Sequence, residues 1–275
     1  MKIGRIPYIN CYPVYGAIDR GIVPLDAELV DGVPTDLNRR MADGELDISV
    51  VSAVEYARDS DRYLLLPDLA ISCDGPVRSV MLFSRRPAGE LTSRNVIVSR
   101  SSMTSVALLE LLFENVWHAK PRFIAGDAEV RDVIEANDGG ADARLVIGDA
   151  ALVLGSNHRE RYPHVYDLGQ TWKDWTGQPF VFAVWVAQRS TDVKEALVAH
   201  AGLIASRNWG LLHLAELAEQ AHKATGVMTE TCAEYLSGLD YGLSYSHLAG
   251  LTEFYRRLVE RGRIPNGTLT FLPAA

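Results

Sequence analysis

A chain of 275 residues, 48% hydrophobic and 23% charged, has the balance of a globular protein and the length for two modest lobes or one large domain. Its net charge of −8 excludes a protein built to grip nucleic acid or an anionic membrane, since either partner calls for a basic face. An anionic small molecule stays open, because backbone N–H groups and hydroxyls bind anions whatever the global charge.

Strands and helices alternate along the chain, the pattern of an α/β fold. Ile3 to Ile6 reads as the first strand, ended by Pro7. Asn10 sits on the corner that follows, and Pro13 to Asp19 reads as a short helix with Gly21 as its C-cap. Ala27 to Val30 is the second strand, and Pro34 to Asp43 a helix with Asp36 in its first turn, where the macrodipole favours it. Leu46 to Val51 is a nearly apolar strand ending in Ser52, followed by a helix from Ala53 through Arg58. Leu64 to Ile71 and Val77 to Ser84 read as two more strands, joined by the turn-forming Cys73, Asp74, Gly75 and Pro76. Ser79 then lies inside a strand, with Arg78 on the opposite face by alternation.

Composition shifts at Ser84 to Gly89, which reads as a linker. The pattern then restarts with a strand at Asn95 to Val98, a loop at Ser99 to Met103 and a helix at Thr104 to Trp117. That helix carries Val106, Leu109, Phe113 and Val116 at helical spacing. Arg122 to Ala125 is a strand, Asp127 to Ala136 a helix and Arg144 to Ile147 a strand, after which Gly148-Asp149-Ala150 opens another helix. Trp172 and Trp175 read as packing residues near a hinge, ahead of the strand Phe180 to Val186, the return crossing. Helices follow at Val193 to Ala221, with an interruption at Asn208 to Gly210, then at Thr229 to Leu236 and His247 to Arg261. A chain that builds one α/β lobe, crosses over and returns gives a first lobe of residues 1–86 with 180–275 and a second of 87–179. Ligand then sits in the cleft between them, and hinge closure is the natural motion.

Three cysteines at 11, 73 and 232, without a CxxC pair, read as reduced thiols of a cytoplasmic protein. The N-terminal apolar run is broken at Pro7, unlike a secretory signal, and the longest apolar run, Pro179 to Ala187, falls far short of the roughly 20 residues that span a bilayer. There is no phosphate-cradling GxxxxGKS or GxxxxGKT, no GxGxxG after a strand, no HExxH and no GxSxG. The seven histidines show no metal-ligand spacing. Neither a metal nor a cofactor is expected.

What remains is a set of small polar residues at strand-to-helix corners. These are Asn10, Ser52, the group Ser101, Ser102 and Thr104, and Asp149. Helix N-termini there present N–H groups and a positive dipole end suited to a carboxylate. Taken singly, a hydroxyl at such a corner is an N-cap worth about 1 kcal/mol. Taken together, corners from both halves of the chain point at one cleft. Asp149 is either an N-cap or an acceptor for a ligand hydroxyl.

Several stretches resemble one family over nearly the whole chain, in order. They are GRIPYINCYPVYGAI, ISVVSAVEYARD, GPVRSVMLFSRRP, SRSSMTSVALLELL, LVIGDAAL, WKDWTGQPFVFAVWV and YLSGLDYGLSYSHLAGL. The chain resembles the menaquinone-biosynthesis family of the futalosine route, which includes chorismate dehydratase and its sister 1,4-dihydroxy-6-naphthoate synthase. The resemblance implies a two-lobed, periplasmic-binding-protein-like fold of type II. It also implies a hydro-lyase acting on chorismate without a cofactor, giving 3-(1-carboxyvinyloxy)benzoate. By resemblance, Asn10 and Ser79 are the residues that hold the substrate's carboxylates, with Ser52, Ser102, Met103, Thr104 and Asp149 expected around them. No basic residue is placed to pair with those carboxylates, so neutral donors are expected to carry recognition. The sister synthase, whose motif set includes a cleft histidine that no corner here supplies, and a non-catalytic binding protein for an aromatic or dicarboxylate solute are the alternatives.

Overall fold

Two five-stranded sheets are each built from four mutually parallel strands and one antiparallel strand that arrives from the other half of the chain. The computed structural model describes residues 1–100, 102–126, 140–157 and 161–273. The first sheet contains β1 (Lys2–Arg5), β2 (Glu28–Asp31), β3 (Ile48–Ser52), β4 (Tyr63–Cys73) and β10 (Phe180–Gln188), in the order β2-β1-β3-β10-β4. β1 runs parallel to β2 and β3, while β10 runs antiparallel to β3 and β4. The second sheet contains β5 (Val80–Ser84), β6 (Asn95–Ser99), β7 (Arg122–Gly126), β8 (Ala143–Ile147) and β9 (His164–Asp167), in the order β7-β6-β8-β5-β9. There β6 runs parallel to β7 and β8, and β5 runs antiparallel to β8 and β9. Every residue of β3 and of β8 is buried, as strands covered on both faces require.

The chain therefore crosses between sheets at residues 74–79 and not at the expected 86/87. Val80 to Ser84 is as apolar as any first-lobe strand, but its pairing partners are β8 and β9, more than 55 residues downstream. Ser84 to Gly89 accordingly lies within the second lobe and leads into a short 3-10 turn, Ala88–Glu90. The strand expected from Val77 starts only at Val80, because Arg78 adopts φ 59°, incompatible with a ladder. Ser79 is thus on a turn. The helix expected at Asp127 to Ala136 and the corner residue Ser101 lie outside the described residues.

Helices follow their strands: α1 (Tyr12–Asp19), entered through a 3-10 turn at Ile9–Cys11, then α2 (Pro34–Ala42), α3 (Ala53–Arg58), α4 (Met103–Asn115) and α5 (Gly148–Asn157). After β9 a strand-to-helix corner not anticipated from sequence opens α6 (Leu168–Thr176), whose Trp172 is fully buried and donates to the Pro179 carbonyl at 3.2 Å. The C-terminal part is helical: α7 (Val193–Leu212), α8 (Leu214–Thr225), α9 (Thr229–Ser237) and α10 (Tyr245–Glu260). The break in the first of these falls at His213, not at Asn208 to Gly210. Gly210 stays helical because its bare Cα lets α7 press on α1; a Cβ there would lie 2.2 Å from the Pro13 carbonyl oxygen. Trp185 of β10 donates to Tyr15 Oη at 3.0 Å, tying α1 to the sheet beneath it.

Candidate active site

Between the lobes lies a cleft of about 70 Å³, lined by residues from both. Tyr8, Asn10, Ser52 and Phe182 come from the first lobe; Ser79, Ser102, Ser105, Ile147 and Gly148 come from the second lobe and the crossing turn. Among the described residues no charged side chain lines it. Two roomier hollows, about 390 and 540 Å³, lie beside α10 and include none of the corner residues.

Asn10 lies in the 3-10 turn after β1 and lines the cleft. Its Oδ1 is buried and has no hydrogen-bond partner among the described residues. Whichever way the amide is turned, one of its polar ends lacks a protein partner. Neighbouring Cys11 is an inert thiol, since burial pushes its pKa far up and the nearby Asp149 adds to the rise.

Ser79 is 4% exposed, and its Oγ donates to the Val77 carbonyl over a long 3.4 Å. The turn beneath it is clamped by Asp167, the N-cap of α6. One carboxylate oxygen accepts from Val77 N–H at 3.1 Å and from Gln170 N–H at 3.0 Å; the other accepts from Arg78 N–H at 2.7 Å. Burial raises the Asp167 pKa above its usual value, and the hydrogen bonds from backbone N–H groups pull the other way. The positive φ of Arg78, next to a cleft residue, is held by these bonds.

Ser52 caps α3, accepting from Glu55 N–H at 3.3 Å, and it also accepts from Asn38 Nδ2 at 2.9 Å. Asn38 Oδ1 accepts in return from Ser52 N–H at 3.1 Å. Ser102 caps α4, accepting from Ser105 N–H at 3.2 Å while its hydroxyl donates to Ser105 Oγ at 2.8 Å. Capping and lining the cleft therefore coincide at both serines. The starts of α3 and α4 face one another, so two positive helix ends converge on a space without charged side chains.

The remaining expected residues do not line the cleft; they join the lobes. Thr104 is buried, and its Oγ1 accepts from Val54 N–H across the cleft at 3.1 Å. Asp149 Oδ1 accepts from Ile9 N–H at 3.2 Å, pinning the turn that carries Asn10. Met103 Sδ accepts from Asn38 Nδ2 at 3.4 Å. Each has a first-lobe partner about 50 to 140 residues away in sequence, so the lobes are drawn together. At the back, Arg261 meets Glu114 at 2.8 Å and Arg263 meets Glu110 at 2.7 Å, adding two ion pairs from the C-terminal end of α10 to α4.

Sequence reasoning missed Asn38, Ser105 and Asp167. Asn38 shares a helix face with Met41, three residues on, and is only 3% exposed. Asp167 followed by Gln170 has the spacing of a capping box. Among the described residues, no group of three or more His, Cys, Asp or Glu side chains could hold a metal ion, and no helix is long and apolar enough to cross a membrane.

Two lobes, each with a sheet completed by a strand from the other side, closing on a polar but uncharged cleft, define a periplasmic-binding-protein-like fold. Solved structures bear this out. A protein of Archaeoglobus fulgidus superposes with a TM-score of 0.81 at 19% identity, covering 96% of this chain and 98% of that one. The alkanesulfonate-binding protein of Xanthomonas axonopodis pv. citri, bound to MOPS, gives 0.71 at 10% identity, covering 98% and 96%. These likenesses establish the fold alone. The sequence model of the menaquinone biosynthesis family matches residues 1–260, and the chain belongs to that family. It is 32% identical over 272 residues to the chorismate dehydratase of Thermus thermophilus, covering 92% of this chain and 95% of the relative.

Proposed function

We propose that the chain eliminates water from chorismate to give 3-(1-carboxyvinyloxy)benzoate, acting in the cytoplasm on a free small molecule. The observation that carries the reading is that Asn10, with amide N–H donors, and the Ser79 hydroxyl line one cleft that holds no charged side chain among the described residues. A dianionic ring is the complement of such a site: amide, hydroxyls and helix starts stabilise its carboxylates, with no opposing protein carboxylate on the lining.

The C3 hydrogen of chorismate is conjugated through a ring double bond to the ring carboxylate. Removing it delocalises charge onto that carboxylate, and loss of the C4 hydroxyl then makes the ring aromatic. Asn10 and Ser79 donate to the substrate's carboxylates and steady the growing charge, the role of preorganised donors in a water-poor site. Neither is a base at neutral pH. The substrate's enolpyruvyl carboxylate takes the C3 proton and passes it to the departing hydroxyl, so the atoms leave as water. Closure by Thr104, Met103 and Asp149 excludes bulk water during this sequence.

Incubating the purified protein with chorismate tests the reading. The expected product is lighter by one water and has benzoate-type absorbance; chorismate recovered unchanged refutes the dehydratase reading.

A further inference from the structure

Among the described residues, the buried hydroxyl of Tyr235, on α9, has no hydrogen-bond partner. The side chain is 1% exposed in the core, where a phenylalanine ring would pack equally well. A buried, unpaired hydroxyl is a liability to the folded state, and its presence beside a functional residue asks for a use. The end of α9 meets the side chain of Arg78, the residue before Ser79: a Cβ added to Gly238 would fall 2.5 Å from Arg78 Nη1. The Tyr235 and Ser79 hydroxyls are close neighbours, outside hydrogen-bond geometry here yet near enough that the serine partly offsets the burial-driven rise in the phenol's pKa. The phenol is therefore neutral and a donor.

Ser79 spends its one proton on a 3.4 Å contact with the Val77 carbonyl. To donate to a substrate carboxylate, its hydroxyl must turn away from that carbonyl, which frees an oxygen lone pair toward the protein interior. We infer that Tyr235 is a positioning residue for Ser79: its O–H donates to Ser79 Oγ when the serine proton points at the substrate, fixing and polarising that hydroxyl. The inference rests on the dehydratase reading for its substrate and on the buried, unpaired hydroxyl for its geometry.

The test is a double-mutant cycle of Tyr235→Phe and Ser79→Ala, with kcat, KM and Tm measured on all four proteins. Tyr235→Phe is expected to lower turnover about ten-fold, the worth of one well-placed neutral donor, with Tm unchanged or higher. In the Ser79→Ala background the same change is expected to move turnover less than about two-fold, because a residue that acts through another has nothing left to act on. Parental turnover in Tyr235→Phe, equal losses in both backgrounds, or a Tm lower by more than about 3 °C overturns the inference. Should the parent leave chorismate unchanged, the dehydratase reading falls, and calorimetric titration of the four proteins with benzoate decides this one. Weaker binding in Tyr235→Phe with the same non-additivity supports it; additive effects, or no binding by the parent, overturn it.

Discussion

Replacing Asp167 with serine separates two tasks that one carboxylate performs. Serine caps a helix about as well as aspartate, so the bond to Gln170 N–H is kept. Its shorter arm does not reach Val77 N–H and Arg78 N–H, now bonded at 3.1 and 2.7 Å. Two hydrogen bonds to a charged acceptor are worth about 1.5–3 kcal/mol each, and relief from desolvating a buried carboxylate offsets part of that. The net loss is about 2 kcal/mol, or a Tm lower by roughly 4–8 °C for a chain of this size. Turnover falls further. Arg78 at φ 59° relaxes once the clamp is gone, and a displacement of about 1 Å at Ser79 costs on the order of 100-fold. Calorimetry and steady-state turnover of chorismate, run well below the lower Tm, read both effects. Asp167→Ala loses the cap as well, a further 1 kcal/mol or so. A serine variant with parental turnover refutes the claim that Asp167 holds Ser79 in place.

The same residue predicts a pH dependence. Burial lifts the folded pKa of Asp167 above its unfolded value, so this group's contribution to stability is most favourable at low pH and declines as pH rises through the folded pKa. Turnover moves the other way: protonation removes the charge that grips the turn, so kcat falls on the acid side at a higher pH than a free aspartate would give. Asp167→Asn is expected to flatten that limb, and an unchanged limb counts against the clamp. Thr104→Val strands the Val54 N–H that now bonds across the cleft at 3.1 Å, which weakens the closed form by about 1–3 kcal/mol. KM for chorismate should rise about ten-fold with a smaller change in kcat; an unaltered KM argues that closure does not depend on this bond.

Much of the framework is legible in the sequence because it is set locally. The helix Ala53 to Arg58 is bounded by its Ser52 cap, and both its ends match. Asn10, Ser52, Ser79 and Ser102 were expected at one cleft and line one cleft. What the sequence hides depends on distant partners. β5 looks like a first-lobe strand until β8 and β9 claim it, and the φ of Arg78 makes sense only once Asp167, 89 residues away, supplies its acceptor. Asp149 looks like a ligand for substrate because its partner, Ile9 N–H, is 140 residues upstream. Corner chemistry identifies which residues are polar and poised; it does not say whether each faces the ligand or the opposite lobe.

Turnover of chorismate by Asn10→Ala, measured beside the parent protein with Tm recorded for both, is the most direct test of a cleft in which uncharged donors stabilise a dianion. The expected result is a fall in kcat of at least about 100-fold, as for removal of a preorganised donor, with Tm unchanged or raised because the lost Oδ1 is buried and unpaired. Turnover within about two-fold of the parent, in a folded Asn10→Ala protein, would contradict it.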